Sequence, residues 1–221
     1  PTGVLYAYFI DPGENAVIPF TEGNGDYTVV GYQQIQGDQY AALYSEILTV
    51  ELENDFFPFL YPNQYVNFSP DSEASKLALS MVSEDTTDVD ALKQIYNYVV
   101  NNLTYDYDKA ETVETGYLPD VDETLSTKTG ICFDYAALTT AMLRSCDIPC
   151  KLQIGYTGDI KHAWIDVYIR SKGWVTGAVS FNGDSWSLMD PTFDSSADSD
   201  DTEAIQDYIG NADNYTVQFT R

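Results

Sequence analysis

Three residues of this chain have types and settings that fit one chemistry. Cys132 lies two positions behind Gly130 in "TGICFDYAALTTAMLRSCDIPC" and opens "CFDYAALTTAML", a run apolar nearly all round apart from Asp134 and two threonines. That pattern predicts a helix buried in the core. A thiol on its first turn faces the positive end of the helix macrodipole, which favours the nucleophilic thiolate. His162, the single histidine, opens "HAWIDVYI", in which His162, Trp164, Asp166 and Tyr168 share one face of a strand and Ala163, Ile165, Val167 and Ile169 the other. Asp190 stands in "WSLMDPTF", where Pro191 should end a strand just behind the carboxylate. A thiol, an imidazole that takes its proton and a carboxylate that orients the imidazole are the parts of nucleophilic acyl chemistry. Each residue also has a plain reading: Cys132 as a small buried hydrophobe, His162 as a structural histidine, and Asp190 as the turn starter common before proline.

The elements that must position these residues follow from periodicity. "DSEASKLALSMVSED" and "DVDALKQIYNYVVNNLTY" predict two helices, the second with Val89, Leu92, Ile95, Tyr96, Val99 and Leu103 on one face and acids at its start. Residues 106–126 are polar and read as a loop. "KLQIGY", "KHAWIDVYIR", "SWSLMDPTF" and the final "YTVQFTR" predict strands, and "SKGWVTGAVSFNGD" has room for another with a Gly-Asp turn. Earlier, "VLYAYFI" and "YTVVGY" read as strands separated by turn residues. Tyr40, Leu43, Tyr44, Ile47 and Leu48 fall at three- and four-residue spacings that predict a helix. "DFFPFLYPNQYVNFSP" is an aromatic loop, with Phe56, Phe57, Phe59 and Tyr61 expected to dock the beginning of the chain onto the rest. The expected division is an extension over 1–70, of strands plus a helix, and a core over 71–221.

In order, "GICFDYAALTTAMLRSCDIPCKLQIGY", "HAWIDVYI" and "WSLMDPTFD" resemble the transglutaminase-like superfamily of papain-related thiol enzymes, in its bacterial form. The resemblance covers about residues 90–195 and extends upstream to "LTYDYD". It implies an α+β fold, with a catalytic helix buried against an antiparallel sheet. It also implies Cys132 as nucleophile, His162 as base and acid, and Asp190 as orienter. The backbone N–H of Cys132 would be one oxyanion donor, with Tyr105, Tyr107 or Tyr117 as the second and Trp164 as a possible substrate contact. The tract between His162 and Asp190 is longer than a plain hairpin needs, which leaves Asp184 as a rival orienter. Trp186 favours Asp190, by matching the tryptophan ahead of the family's Asp-Pro-Thr.

Composition bounds the rest. Asp and Glu outnumber Lys and Arg by 35 to 10 in 221 residues, for a formal net charge of −25. That field repels nucleic acid and anionic lipid. No apolar run approaches a membrane span. Numbering opens on Pro1 without an initiator Met, so removal of an N-terminal segment is expected, with a signal peptide as one candidate, and abundant Tyr, Asn, Asp, Ser and Thr with scarce Lys fit a secreted or cell-surface bacterial protein. Cys146 and Cys150 are expected as buried free thiols, with a local disulfide as the alternative in an oxidising compartment. No metal or cofactor is expected, since three cysteines and one histidine lack ligand spacing and the acidic runs lack a calcium loop's glycine. The expected activity is hydrolysis of a peptide or side-chain amide through an acyl-enzyme on Cys132. The alternatives are transfer of a glutamine acyl group to an amine, or a non-catalytic binding module of the same fold.

Overall fold

The fold is α+β, built around the helix that Cys132 begins. The computed structural model describes residues 1–176, 179–181, 186–188 and 215–221, and Asp184, Asp190 and "SSADSDDTE" lie outside the described residues. Helices α1 (Glu73–Met81), α2 (Asp88–Asn102), α3 (Tyr107–Thr112) and α4 (Val121–Thr127) precede α5 (Cys132–Ser145). Tyr135, Ala136, Ala137, Leu138, Ala141, Met142 and Leu143 of α5 are all buried. One side of α5 takes α1, α2 and α4, with Ala91, Leu92, Ile95 and Val99 of α2 in the same core.

The other side packs on the sheet. Strands β5 (Cys150–Thr157), β6 (Ile160–Ile169), β7 (Gly173–Val175) and β10 (Tyr215–Thr220) form an antiparallel sheet in the order β10-β5-β6-β7. Leu152, Ala163, Ile165, Val167 and Ile169 join the α5 core, as the period of two requires. His162, Trp164 and Asp166, on the opposite face, are buried as well. The aromatic loop contributes to that covering. Phe56 meets Tyr168 at 4.4 Å, Phe59 meets Trp174 at 5.3 Å, and Lys151 lies 4.0 Å from the Trp174 ring centroid. Phe57 and Tyr61 instead pack on each other and stay largely exposed.

The helices start where acids can cap them. Thr87 accepts the Asp90 N–H and its hydroxyl donates to the Asp90 carboxylate, a cap of about 1 kcal/mol at the start of α2. Asp122 of α4 accepts the Glu73 and Ala74 N–H groups, so one helix caps another. Part of the acidic excess therefore serves helix starts, where carboxylates meet free N–H groups.

Three expectations are corrected. Residues 40–48 lie in a strand, β2 (Gln39–Val50), paired with β1 (Gly25–Gln36) across a turn holding Gly37 at φ 52°. Tyr, Ile, Leu and Thr suit a pleated ribbon, and cross-strand pairing overrode the helical spacing. "VLYAYFI" carries no regular element; it lies along the surface, held by side chains of the aromatic loop. The polar stretch 106–126 contains α3 and α4, whose starts are capped by the side chains of Asp106 and Asp120. The expected strand leading to Asp190 is represented by β9 (Trp186–Leu188), which pairs with β8 (Val179–Phe181) in a separate ribbon.

Candidate active site

Cys132 is the first residue of α5 and is half-buried. Ile131, extended at φ −97° and ψ 176°, is the N-cap and has no side chain to satisfy the first turn. Asp134 does part of that work from the third helical position. Its carboxylate accepts the Ile131 N–H at 2.8 Å, a Lys109 Nζ bond at 2.7 Å and the Tyr117 hydroxyl at 2.5 Å, and the residue is fully buried. Lys109 also donates to the Tyr117 oxygen at 2.7 Å. Three groups thus close a ring of hydrogen bonds beneath the thiol's helix turn. Burial and the Asp134 carboxylate push the Tyr117 hydroxyl up to about 12. Its hydrogen is committed to Asp134, which gives Tyr117 a positioning contact.

Gly130 has a steric role at this turn. A β-carbon there would stand 2.6 Å from the Asp134 β-carbon, so the glycine makes room for the buried carboxylate. Residues 129–130 form β4, which runs parallel to β3 (Thr104–Tyr105), and the Asp106 N–H donates to the Gly130 carbonyl. This pairing brings Tyr105 beside the start of α5. Tyr105 stacks edge-on with Tyr107 at 4.9 Å and lies 6.4 Å from Tyr135. Tyr107 is exposed, Tyr105 half-buried.

His162 sits near the start of β6, opposite Gly155 of β5, with its ring roughly parallel to that of Trp164 at 6.4 Å. Four residues link the end of α5 to β5, and α5 packs against both β5 and β6. His162 and Gly155 thus face each other on paired strands. Gly155 is needed there: a β-carbon on it would be 1.9 Å from the Thr216 carbonyl oxygen of β10 and 2.9 Å from the Trp164 indole. Asp166, two repeats along the same face, accepts a 2.6 Å bond from Gln153.

All three thiols are free. Burial pushes Cys146 up to about 11 and Cys150 up to about 12, while the Cys150 sulfur also contacts the Thr140 hydroxyl at 3.5 Å. The opposite end of α5 is held by Arg144, whose guanidinium donates to the carbonyls of Cys150, Tyr61 and Arg221. Burial lowers that group to about 10, so it stays charged at neutrality. A recess of about 650 Å³ opens there, lined by Phe56, Leu60, Tyr61, Arg144 and Tyr168. It lies away from Cys132 and belongs to the docking seam.

The Asp134–Lys109–Tyr117 ring was not foreseen as a unit. A carboxylate three residues past a helix N-cap is the available signal, because that spacing lets a side chain reach back to the cap N–H.

Residues 75–177 match the family model described as the transglutaminase-like superfamily. The chain is 24% identical over 183 residues to YebA of Bacillus subtilis, covering 72% of this chain and 25% of YebA, so it spans about a quarter of that relative's length. The fold is similar to that of a candidate cysteine protease of Cytophaga hutchinsonii, with a TM-score of 0.50, 17% identity, and 94% and 74% of the two chains covered. The periplasmic domain of TgpA from Pseudomonas aeruginosa overlays at a TM-score of 0.44, with 18% identity, over 66% of this chain and 49% of that one.

Proposed function

With a core that belongs to the transglutaminase-like superfamily, we propose that this chain is a thiol-dependent amide or peptide hydrolase, with residues 71–221 as the catalytic core and 1–70 appended to it. The observation that carries the reading is the contrast among the thiols. Cys132 alone begins a helix and is half-buried there, whereas burial holds Cys146 and Cys150 as thiols.

In this reading His162 takes the Cys132 proton and the sulfur attacks the amide carbonyl carbon. The first-turn N–H groups of α5, which lack partners four residues back, face the developing oxyanion. Tyr105, beside Gly130, is the candidate second donor. The imidazolium then gives its proton to the departing nitrogen as the C–N bond breaks, leaving a thioester. Water, deprotonated by the imidazole, attacks the thioester carbonyl and returns the thiol. Asp190 would fix the tautomer that turns the other imidazole nitrogen toward Cys132. The substrate is a peptide or protein. Composition supports an exported or surface setting, and among the described residues no helix is long and apolar enough to cross a membrane. Amine transfer differs only in which nucleophile reaches the thioester.

The test is alkylation of Cys132 across pH in three variants. His162→Ala and Asp190→Asn should each slow it at neutral pH and reduce turnover by orders of magnitude, while Asp184→Asn leaves both unchanged. Crippling by Asp184→Asn with an intact Asp190→Asn would exchange the two aspartates. Indifference to all three would leave a binding module.

A further inference from the structure

We infer that Gln64, Tyr65 and Arg221 form a recognition groove for an extended peptide carrying aromatic side chains two residues apart, filled here by residues 6–9 of the chain itself. Asn63 and Val66 exchange both backbone hydrogen bonds, at 3.1 and 3.2 Å, making a two-residue turn with Gln64 and Tyr65 at its tip. Val66 is fully buried and the Asn63 side chain accepts the Tyr65 and Val66 N–H groups, so the tip is rigidly mounted.

That tip reads backbone. The Gln64 amide accepts the Phe9 N–H at 3.2 Å and donates to the Phe9 carbonyl, and the Tyr65 hydroxyl donates to the Ala7 carbonyl at 2.7 Å. Bonds to main-chain atoms recognise any extended segment, and the alternating side chains then set specificity. Tyr6 and Tyr8, on one side of the segment, pack against Arg221. Arg221 is 3% exposed, and its guanidinium lies 4.4 Å from the Tyr6 ring, 4.9 Å from Tyr8, 4.2 Å from Tyr65 and 5.5 Å from Phe219. It donates to the Tyr8 and Tyr65 hydroxyls. In a chain of net charge −25, this buried cation faces π-systems, two of which the surface-laid segment supplies. The groove adjoins the candidate active site, since the Tyr65 ring lies 6.3 Å from that of Phe133, the residue after Cys132. Phe9 is within reach of Gly116, next to Tyr117.

As a statement about substrate class this rests on the hydrolase reading; as a statement about binding it does not. A tethered segment competes at an effective concentration on the order of millimolar, so an added peptide meets an occupied groove. The test uses the full chain and a fluorescent peptide with the sequence of residues 4–11. Tyr8→Ala, which weakens the tethered segment and leaves the groove intact, should raise the peptide's affinity at least about tenfold over wild type. Phe9→Pro, which removes the clamped N–H from an exposed residue, should do the same without touching the core. Adding Gln64→Ala to either should cancel the gain, and a peptide with alanine at the two tyrosine positions should bind neither. Equal affinity for wild type and both releasing variants, or indifference to Gln64→Ala, overturns the groove. Tight binding without acylation of Cys132 supports the groove and sinks the hydrolase reading; cleavage of peptides with no such binding pattern does the reverse.

Discussion

Gly130 and Asp134 share one space: a β-carbon on the glycine would sit 2.6 Å from the aspartate's β-carbon and 3.1 Å from its carboxylate oxygen Oδ2. Gly130→Ala should therefore expel the carboxylate from the Ile131 N–H and from Lys109. The expected cost is about 1–3 kcal/mol in denaturant unfolding, with slower alkylation of Cys132. An unchanged midpoint and rate would show that the helix start is held by something else.

Asp134→Asn keeps an acceptor for the Ile131 N–H and removes the charge facing Lys109. A loss of about 1–3 kcal/mol is expected, since the carboxylate is fully buried and its ammonium partner is about two-thirds shielded. Alanine at the same position should cost more, because it also strands the cap N–H. The order of the two variants in thermal unfolding is the measurement.

The pH dependence of the cluster has a definite sign. Tyr117 is raised to about 12 from an ordinary 10, by burial first and by Asp134 second, and Lys109 is raised with it by hydrogen bonds to Asp134 and Tyr117 that outweigh burial. A folded-state value above the unfolded one contributes stability that is complete below the unfolded value and vanishes as pH climbs through the folded one. Stability should thus fall between about pH 10 and 12 in wild type. Tyr117→Phe should flatten that fall, as read from urea midpoints across the range.

Burial holds the Cys146 and Cys150 thiols at about 11 and 12. Mass-spectrometric mapping after iodoacetamide at pH 7–8 should find label on Cys132 and almost none on the other two until the protein unfolds. Comparable labelling of Cys146 in the native protein would remove the contrast on which the proposed nucleophile rests.

Gly155→Ala should be more damaging than most surface changes. Its β-carbon would meet the Thr216 carbonyl at 1.9 Å, a backbone atom that moves only if β10 leaves β5. About 3 kcal/mol or more is expected. Amide exchange should locate the loss in residues 215–221 and in β5, before it appears in α5.

Local pattern alone placed several parts. The apolar run after Gly130 dictated a buried helix beginning at Cys132, and the alternation in "HAWIDVYI" dictated a strand with His162, Trp164 and Asp166 on one face. Both signals are carried by neighbouring residues, because side-chain period is a property of the local backbone. Residues 39–50 were illegible for the converse reason. Their spacing fits helix and strand alike, and pairing with residues 25–36 decided the outcome. Long-range partners also made Asp134 more than a polar exception in an apolar helix: Lys109 and Tyr117 lie 25 and 17 residues away. The same holds for residues 6–9, whose sequence suits a strand. Only tertiary structure, by presenting Gln64 and Tyr65 to them, settled that their backbone groups bond to side chains and not to a neighbouring strand.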